Sequence, residues 1–446
     1  MQTLDSINME ITSKCNLVCD FCPLTIEIDR EKFVELDFDR FRSIVDQCKE
    51  MGLSRIYLFL FGEPFLYSHF KDAVDYCGNI GIQDLWITTN GILLNKRNSK
   101  IVLKNISNLT VSMTGTSQKV YSKFQGYKRK LGLTKIEQNV RDFIKLRDGQ
   151  NKYLPVTLSY ILNDDSFPEW RAYYNKWVNV VDEIVFADYQ EYHLEHFELN
   201  DDRIRPCREI VARNKLNFLS NGAVTVCCED FNGKMAAGNM DTHSVSEIWN
   251  EQNEKIKEVK RSFQDLKYDA LHPECKDCYM ICRYYNFITS SQIKSSDRML
   301  EYLNEFFPGK KVLVYGANSL TAAMLYTEEF AKRIVAVLDE HRMGKYCNKQ
   351  VLSFDEIMKI DYDVILVNFT NEGKNSGLTK NQIFQKLKLR DLDKEKMVIY
   401  HSSAGSTDFQ GSDKEEMLKW IGSAESRETD LLNQSSSASP SISVRS

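Results

Sequence analysis

The chain has 446 residues and a formal net charge of −5, with acidic and basic side chains mixed along its length. That is long enough for two or three domains, each with its own apolar core, and it lacks the concentrated basic footprint of a nucleic-acid binder. Residues 1–10 carry neither the basic start nor the apolar run of a secretion signal, and no later stretch reaches the ~20 apolar residues of a membrane span; a cytoplasmic protein with a small or peptidic substrate, and with no nucleic acid or membrane as partner, is expected.

From the N-terminus, apolar runs of strand length at 7–12, 55–60, 85–89, 109–113, 156–162 and 183–187 alternate with segments of helical period. Between the first two, Phe38, Phe41, Ile44, Val45, Cys48 and Met51 recur at three- and four-residue steps and stop at Gly52, which predicts an amphipathic helix with Cys48 in its core face. Six such strand-then-helix units argue for an α/β fold with parallel strands and right-handed crossovers, either a doubly wound sheet or part of a (β/α) barrel. In both, chemistry gathers at the carboxyl ends of the strands. Residues 201–295 break the rhythm. Buried-type strands at 311–317, 333–339, 363–369 and 396–400 then predict a small C-terminal Rossmann-like α/β domain. The final 45 residues hold 13 serines and are expected to be disordered. The expected domains are therefore 1–200, 201–295, 296–401 and a tail at 402–446.

Twelve cysteines are many for a reduced compartment, where a disulfide framework is not expected. Nine fall in two groups, Cys15/Cys19/Cys22 and Cys207/Cys227/Cys228/Cys275/Cys278/Cys282, while Cys48, Cys77 and Cys347 stand alone. Such spacing reads as metal or cluster ligation. Cys15-Asn-Leu-Val-Cys19-Asp-Phe-Cys22 directly follows the first strand. Three thiolates can hold three irons of a cubane and leave the fourth open to a substrate. The spacing matches neither ferredoxin run, so plain electron transfer is a poorer reading, and a zinc loop would want a fourth ligand close by.

CxxxCxxC after the first strand resembles the signature of the radical S-adenosylmethionine (SAM) superfamily, and later segments resemble that family in order. Phe61-Gly62-Glu63-Pro64 follows the second strand and looks like the family's GGEP segment, with Phe in place of the first Gly; Thr88-Thr89-Asn90-Gly91 follows the third; Ser112 lies in the fourth, where Thr114-Gly115 replaces a frequent Asp-Gly, and Tyr121 to Gly126 continues the likeness. The resemblance spans residues 7–190. It implies a partial (β/α)6 radical SAM barrel in which Cys15, Cys19 and Cys22 hold a 4Fe-4S cluster whose open iron chelates SAM. Reductive cleavage then gives a 5'-deoxyadenosyl radical that abstracts hydrogen from an unactivated C–H bond. Glu63 is the expected acceptor of the SAM ammonium. Phe21, Gly62, Pro64, Asn90 and Ser112 complete the expected SAM-binding set.

In the second group, Asn221-Gly222 between the apolar runs 216–219 and 223–226 reads as a tight hairpin turn that brings Cys207 and Cys227 together. The pattern resembles the SPASM or twitch extension of radical SAM enzymes, a small cysteine-rich domain that binds auxiliary clusters. The full SPASM pattern needs seven cysteines with a CxxCx5Cx3C block, here cut to CxxCx3C, so a reduced SPASM or twitch-like site with one auxiliary 4Fe-4S cluster on Cys207, Cys227, Cys275 and Cys278 is expected. Cys228 and Cys282 are candidates for a substitute ligand, a hydrogen-atom donor or simple packing. A single structural zinc is the alternative.

Tyr315-Gly316-Ala317-Asn318-Ser319 with Asp339 partly resembles a dinucleotide-binding start, but one glycine of three favours a docking or substrate-handling module over NAD binding. Lys128-Arg129-Lys130 could hold a phosphate or be a solvated face. Tyr189, Tyr192 and His193 follow the sixth strand as candidate proton acceptors. Similar C-terminal domains occur on sugar-modifying enzymes. The resulting expectation is an oxidoreductase or epimerase that modifies a carbohydrate, namely a sugar, nucleotide sugar or aminocyclitol, with a flavodoxin- or ferredoxin-type electron donor. Its rivals are a maturase of ribosomally made peptides and a non-catalytic electron carrier or scaffold.

Overall fold

The computed structural model describes residues 4–26, 34–126, 132–188, 204, 207, 210, 214–250, 253–264, 267–276, 278, 287–317, 319–339, 344–353, 356–357, 360–369 and 397–401. These fall into two compact units, the first running to Ile293 and the second from Lys294, with Gly344 grouped with the first.

In chain order the first unit contains β1 (Ser6–Met9), α1 (Pro23–Ile26), α2 (Phe38–Glu50), β2 (Arg55–Tyr57), α3 (Phe70–Asn79), β3 (Asp84–Thr89), α4 (Lys96–Asn105), β4 (Asn108–Ser112), α5 (Gln118–Gln125), α6 (Gly132–Asp148), β5 (Val156–Leu162), α7 (Trp170–Trp177), β6 (Glu183–Asp188), β7 (Lys215–Phe218), β8 (Ala223–Thr225), β9 (Ala236–Asn239), α8 (Val245–Ile248), α9 (Glu254–Ser262) and β10 (Phe287–Thr289). α10 (Ser290–Phe306) follows. Ten strands make one sheet in the order β10-β6-β5-β4-β3-β2-β1-β7-β8-β9. From β1 to β6 every neighbouring pair is parallel, the arrangement of a partial (β/α)6 barrel. The six expected strands are present, with β1 and β2 shorter than their apolar runs. α2 buries Phe41, Ile44, Val45 and Cys48 as its periodicity requires.

The two faces of this sheet differ. Leu85, Ile87, Leu109, Val111, Val156, Leu158 and Tyr160 are buried, whereas the alternate residues Trp86, Thr88, Asn108, Thr110, Ser112, Thr157 and Ser159 are only half-buried. A parallel sheet covered on both sides would bury both sets; here one face packs under the helices and the other is open and polar. Strand register lines its residues up. Asn217, Asn8, Tyr57, Trp86 and Asn108 form one row across five strands, its Asn217 and Asn8 end buried, with the Asn8 amide donating to Asn217 Oδ1 at 2.7 Å, and Thr88, Thr110, Thr157 and Glu183 form the next across four.

The cysteine-rich segment adds to this sheet. β7 pairs in parallel with β1, and β7, β8 and β9 then run antiparallel, so the Asn221-Gly222 turn closes a hairpin as its sequence predicts. β10 pairs antiparallel with β6 at the opposite edge.

The second unit contains β11 (Val312–Tyr315), α11 (Ser319–Tyr326), α12 (Glu328–Arg333), β12 (Ile334–Leu338), β13 (Gly344–Tyr346), β14 (Lys349–Leu352), β15 (Val364–Phe369) and β16 (Met397–His401) in the order β13-β14-β12-β11-β15-β16. β11 is parallel to both β12 and β15, as a Rossmann-like core requires. β13 and β14 were not foreseen: they meet at Cys347-Asn348, both left-handed (φ 45° and 65°), a primed turn without the glycine that usually announces one. Asp339, the acidic residue of the partial dinucleotide-type pattern, accepts the Ala317 N–H (2.8 Å) and so ties down the turn that follows β11. The expected tail, 402–446, lies outside the described residues.

Candidate active site

β1 ends at Met9, and residues 10–14 carry the chain to the first cysteine loop. The loop is fastened at its carboxyl end. The Cys22 N–H bonds the Cys19 carbonyl at 3.3 Å, and the Thr25 N–H bonds the Cys22 carbonyl at 2.8 Å where α1 begins. Across the loop, the end of α5 grips it: the Asp20 N–H donates to the Phe124 carbonyl (3.3 Å) and the Cys19 thiol to the Gln125 carbonyl (3.9 Å). Gly126 caps α5 with φ 60°, and a Cβ there would lie 2.0 Å from the Val18 carbonyl oxygen, so only glycine permits this approach. The Phe21 ring rests 6.0 Å from that of Phe124. The Cys19 thiol is pushed well above its usual range by burial, then by the charges of Cys22, Cys15 and Asp20. Three thiols that oppose one another's ionisation in this way fit a multiply charged metal cluster, which ligates thiolates and supplies the missing positive charge.

The segment after β2 backs directly onto this loop. Gly62 has φ 78°, and a Cβ on it would fall 2.1 Å from the Thr12 carbonyl oxygen; the Glu63 N–H donates to the Lys14 carbonyl at 2.8 Å. Pro64 is buried and opens a short 3-10 turn. The Glu63 carboxylate is 1% exposed and accepts from the Thr89 hydroxyl (2.7 Å), the Asn90 N–H (2.8 Å) and the Phe65 N–H (3.3 Å). Burial raises its pKa to about 7 against the pull of those donors. Asn90 in turn donates its side-chain amide to Asn16 Oδ1 (2.7 Å), inside the cysteine loop. The segments after β1, β2 and β3 are thus joined by hydrogen bonds around one buried carboxylate. Ser112, at the end of β4, is half-buried, and its carbonyl accepts from Gln125 Nε2 (3.0 Å). Phe61 is turned to packing: its ring meets Phe231 at 6.0 Å, and Leu24, Phe61 and Leu219 share an apolar cluster with Cys22.

In the second cysteine group, Cys227 is half-buried. The Cys228 thiol's hydrogen bond draws its pKa down, but burial and the charges of Cys278 and Glu229 carry it up to about 11. Cys275 is pushed up to about 12 by burial, then by Cys207 and Glu274. Cys207 therefore neighbours Cys275 and Cys227 neighbours Cys278, while the Cys278 N–H bonds the Cys275 carbonyl (3.2 Å) and joins the two pairs. This is a donor set that fits a four-thiolate cluster. Among the described residues, no three His, Cys, Asp or Glu side chains are gathered closely enough to share a single metal ion. Asp230 organises the loop after Cys227, accepting from the Thr225 hydroxyl (2.6 Å), the Lys234 N–H (2.9 Å) and the Met235 N–H (2.8 Å). Cys282, Tyr189, Tyr192, His193 and the basic run 128–130 lie outside the described residues.

Several residues of the site carry no signal as motifs. Asn16 and Gln125 are interior letters of CNLVC and YSKFQG. Glu10, buried at the end of β1, takes hydrogen bonds from Ser220, and burial raises its pKa to about 7 despite them. An acidic residue inside an otherwise apolar strand run was its only sign.

Residues 9–163 match the family model of the Radical SAM superfamily, and residues 207–279 that of the iron-sulfur cluster-binding SPASM domain. The chain belongs to the radical SAM superfamily and carries a SPASM auxiliary-cluster domain; its cofactors are SAM and 4Fe-4S clusters, an auxiliary one included. It is similar to the GTP 3',8-cyclase of Synechocystis sp. (28% identity, 26% of this chain and 35% of that one), the PqqA peptide cyclase of Bradyrhizobium diazoefficiens (24%, 28% and 32%) and a probable GTP 3',8-cyclase of Methanococcus maripaludis (31%, 26% and 39%). The chain thus spans about a third of the length of these curated relatives. Solved structures of similar fold include BtrN in complex with AdoMet and 2-DOIA (20% identity, TM-score 0.44, 62% of this chain and 94% of that one) and Streptococcus suis SuiB bound to precursor peptide SuiA (16%, 0.48, 64% and 72%). Among the described residues no helix is long and apolar enough to cross a membrane.

Proposed function

We propose that Cys15, Cys19 and Cys22 hold the SAM-binding cluster, that Glu63 receives the SAM ammonium, and that Cys207, Cys227, Cys275 and Cys278 hold the auxiliary cluster. Bound there, the first cluster supplies the electron for reductive cleavage of SAM and hence for hydrogen abstraction from a substrate C–H. The observation that carries this reading is the buried Glu63 carboxylate, held by Thr89 and Asn90 and linked by backbone bonding to Lys14, next to Cys15. A desolvated carboxylate in this position gains most from a cationic partner. Gly62 lets the Glu63 backbone reach the loop, Asn90 holds Asn16, and the end of α5 holds Cys19 and Asp20.

The open polar face of the sheet supports the substrate class. Its half-buried hydroxyls and the Asn108 amide, beside the Tyr57 and Trp86 rings with the Arg55 and Lys215 cations over them, offer hydrogen-bonding partners of the kind a polyhydroxylated ring requires. The reading is oxidation or epimerisation at a hydroxyl-bearing carbon of a sugar, nucleotide sugar or aminocyclitol in the cytoplasm, with a flavodoxin- or ferredoxin-type reductant. The match to a PqqA peptide cyclase favours a second reading, maturation of a peptide.

The test is anaerobic reconstitution of wild type and a Cys15/Cys19/Cys22 triple Ala variant. About eight irons falling to about four, with loss of 5'-deoxyadenosine release from SAM, is the expected result; equal iron in both would overturn the ligand assignment. Wild-type 5'-deoxyadenosine release that rises with aminocyclitols or nucleotide sugars, and not with peptides, would separate the two substrate readings.

A further inference from the structure

Gln125, the last residue of α5, is 3% exposed. Its Nε2 donates to the Ser112 carbonyl at 3.0 Å, while its Oε1 is fully buried with no hydrogen-bond partner among the described residues. Exchanging the two amide atoms does not relieve this, because it would set oxygen against the Ser112 carbonyl oxygen. A buried amide oxygen stripped of water and left unpaired costs stability, and folded proteins pair such atoms with protein, water or ligand. The residue sits between the carboxyl end of β4 and the first cysteine loop: its own carbonyl accepts from Cys19, and the next residue, Gly126, packs on Val18.

We propose that Gln125 is a positioning residue for SAM, its Oε1 accepting a hydrogen bond from a neutral donor of the adenosyl group, either the adenine amino or a ribose hydroxyl. The inference rests on the SAM-binding reading given above. SAM has one further donor, its ammonium, and that group suits the Glu63 carboxylate rather than a neutral amide. Ser112 fixes the amide through its carbonyl, so the acceptor is oriented before SAM arrives.

The test compares SAM binding to reconstituted wild type, Gln125→Met and Gln125→Asn, read as the change in the cluster's electron paramagnetic resonance spectrum on titration. This signal reports only cluster-loaded protein, so a variant that assembles poorly can still be measured. Loss of one buried hydrogen bond predicts SAM binding weaker by roughly tenfold in Gln125→Met, and a loss in Gln125→Asn as well, its shorter side chain drawing the oxygen back. Free methionine, which carries the ammonium but no adenosyl group, should bind wild type and variants alike. SAM analogues lacking the 6-amino group or a ribose hydroxyl identify the donor, since the one that binds wild type and Gln125→Met equally has lost the partner. Equal SAM affinity in all three proteins would overturn the inference, as would an equal loss for methionine, which would place the effect in the loop. A wild-type spectrum indifferent to SAM would instead overturn the site assignment itself.

Discussion

Replacing Glu63 with Gln tests the centre of the site by charge alone. Burial raises the Glu63 carboxyl to about 7, so without SAM it is protonated below that pH and ionised above it. An ammonium is paired only by the ionised form. The apparent dissociation constant therefore grows by the factor 1 + 10^(pKa − pH): about 11-fold at pH 6 and about 1.1-fold at pH 8 relative to the fully ionised protein. Affinity is present above pH 7 and lost as pH falls through it. Glu63→Gln keeps the shape of the side chain but removes the charge and turns one of its two accepting oxygens into a donor. A charge-assisted bond contributes about 1.5–3 kcal/mol, so binding should weaken by roughly 10- to 150-fold at pH 8 and lose its dependence on pH. The assay is titration of the reconstituted protein with SAM from pH 6 to 8, read by the cluster's spectrum. A wild-type affinity flat across that window, or a Gln variant that binds as tightly as wild type, would refute the assignment.

Gly62→Ala should lower SAM binding and cluster content together, because its Cβ would overlap the Thr12 carbonyl oxygen at 2.1 Å and φ 78° suits glycine alone; iron and SAM titration at wild-type levels would count against this. Glu10 has a pKa of about 7 in the fold against 4.5 for the free side chain, so the folded state binds its proton more tightly, and the stability this confers is present below 4.5 and lost as pH rises through 7. In cluster-free protein, the stability advantage of Glu10→Gln over wild type should therefore widen by ~3 kcal/mol between pH 4.5 and 8, and denaturant midpoints that keep a constant gap would show that Glu10 is not the group titrating. Cys227→Ala should remove about four irons, whereas Cys228→Ala, which loses the thiol's hydrogen bonds with Cys227 and Glu229, should keep about eight; the reverse outcome would exchange their roles.

Hydrophobic period and cysteine spacing make most of the architecture legible before any coordinates. The six parallel strands, the α2 core face with Cys48 and the Asn221-Gly222 hairpin all follow from local rules. Less visible were the contacts that complete the site. Asn16, Thr89 and Asn90 meet around Glu63 only because β1, β2 and β3 are neighbours, a fact of pairing order rather than of any one segment. Gln125 has no special propensity; its burial comes from Gly126, whose missing side chain lets α5 reach Val18. β13 and β14 carry no turn signal in the sequence because their turn places Cys347 and Asn348 at positive φ, where glycine is the usual sign. Phe61, which departs from the GGEP pattern, reads as a defect in sequence but packs against Phe231 and the hairpin.

That packing bears on how the two cysteine groups are related. β7 lies beside β1 in the same sheet and runs the same way, so the cysteine-rich segment extends the barrel's edge rather than standing apart from it. At the turn of the β7–β8 hairpin, Leu219 and Ala223 share an apolar cluster with Phe61, Leu24 and Cys22. Beyond β8, the chain reaches Cys227 within two residues. One short hairpin therefore buttresses the first cysteine loop at its turn and delivers a thiol of the second group at its far end. Close packing transmits displacement because it leaves no void to absorb it, so the loop beside Cys22 and the site around Cys227 are held in register by the same few side chains. The bulky Phe61 then has a physical reason: glycine there would leave a gap between the hairpin turn and the loop, and an aromatic ring closes it.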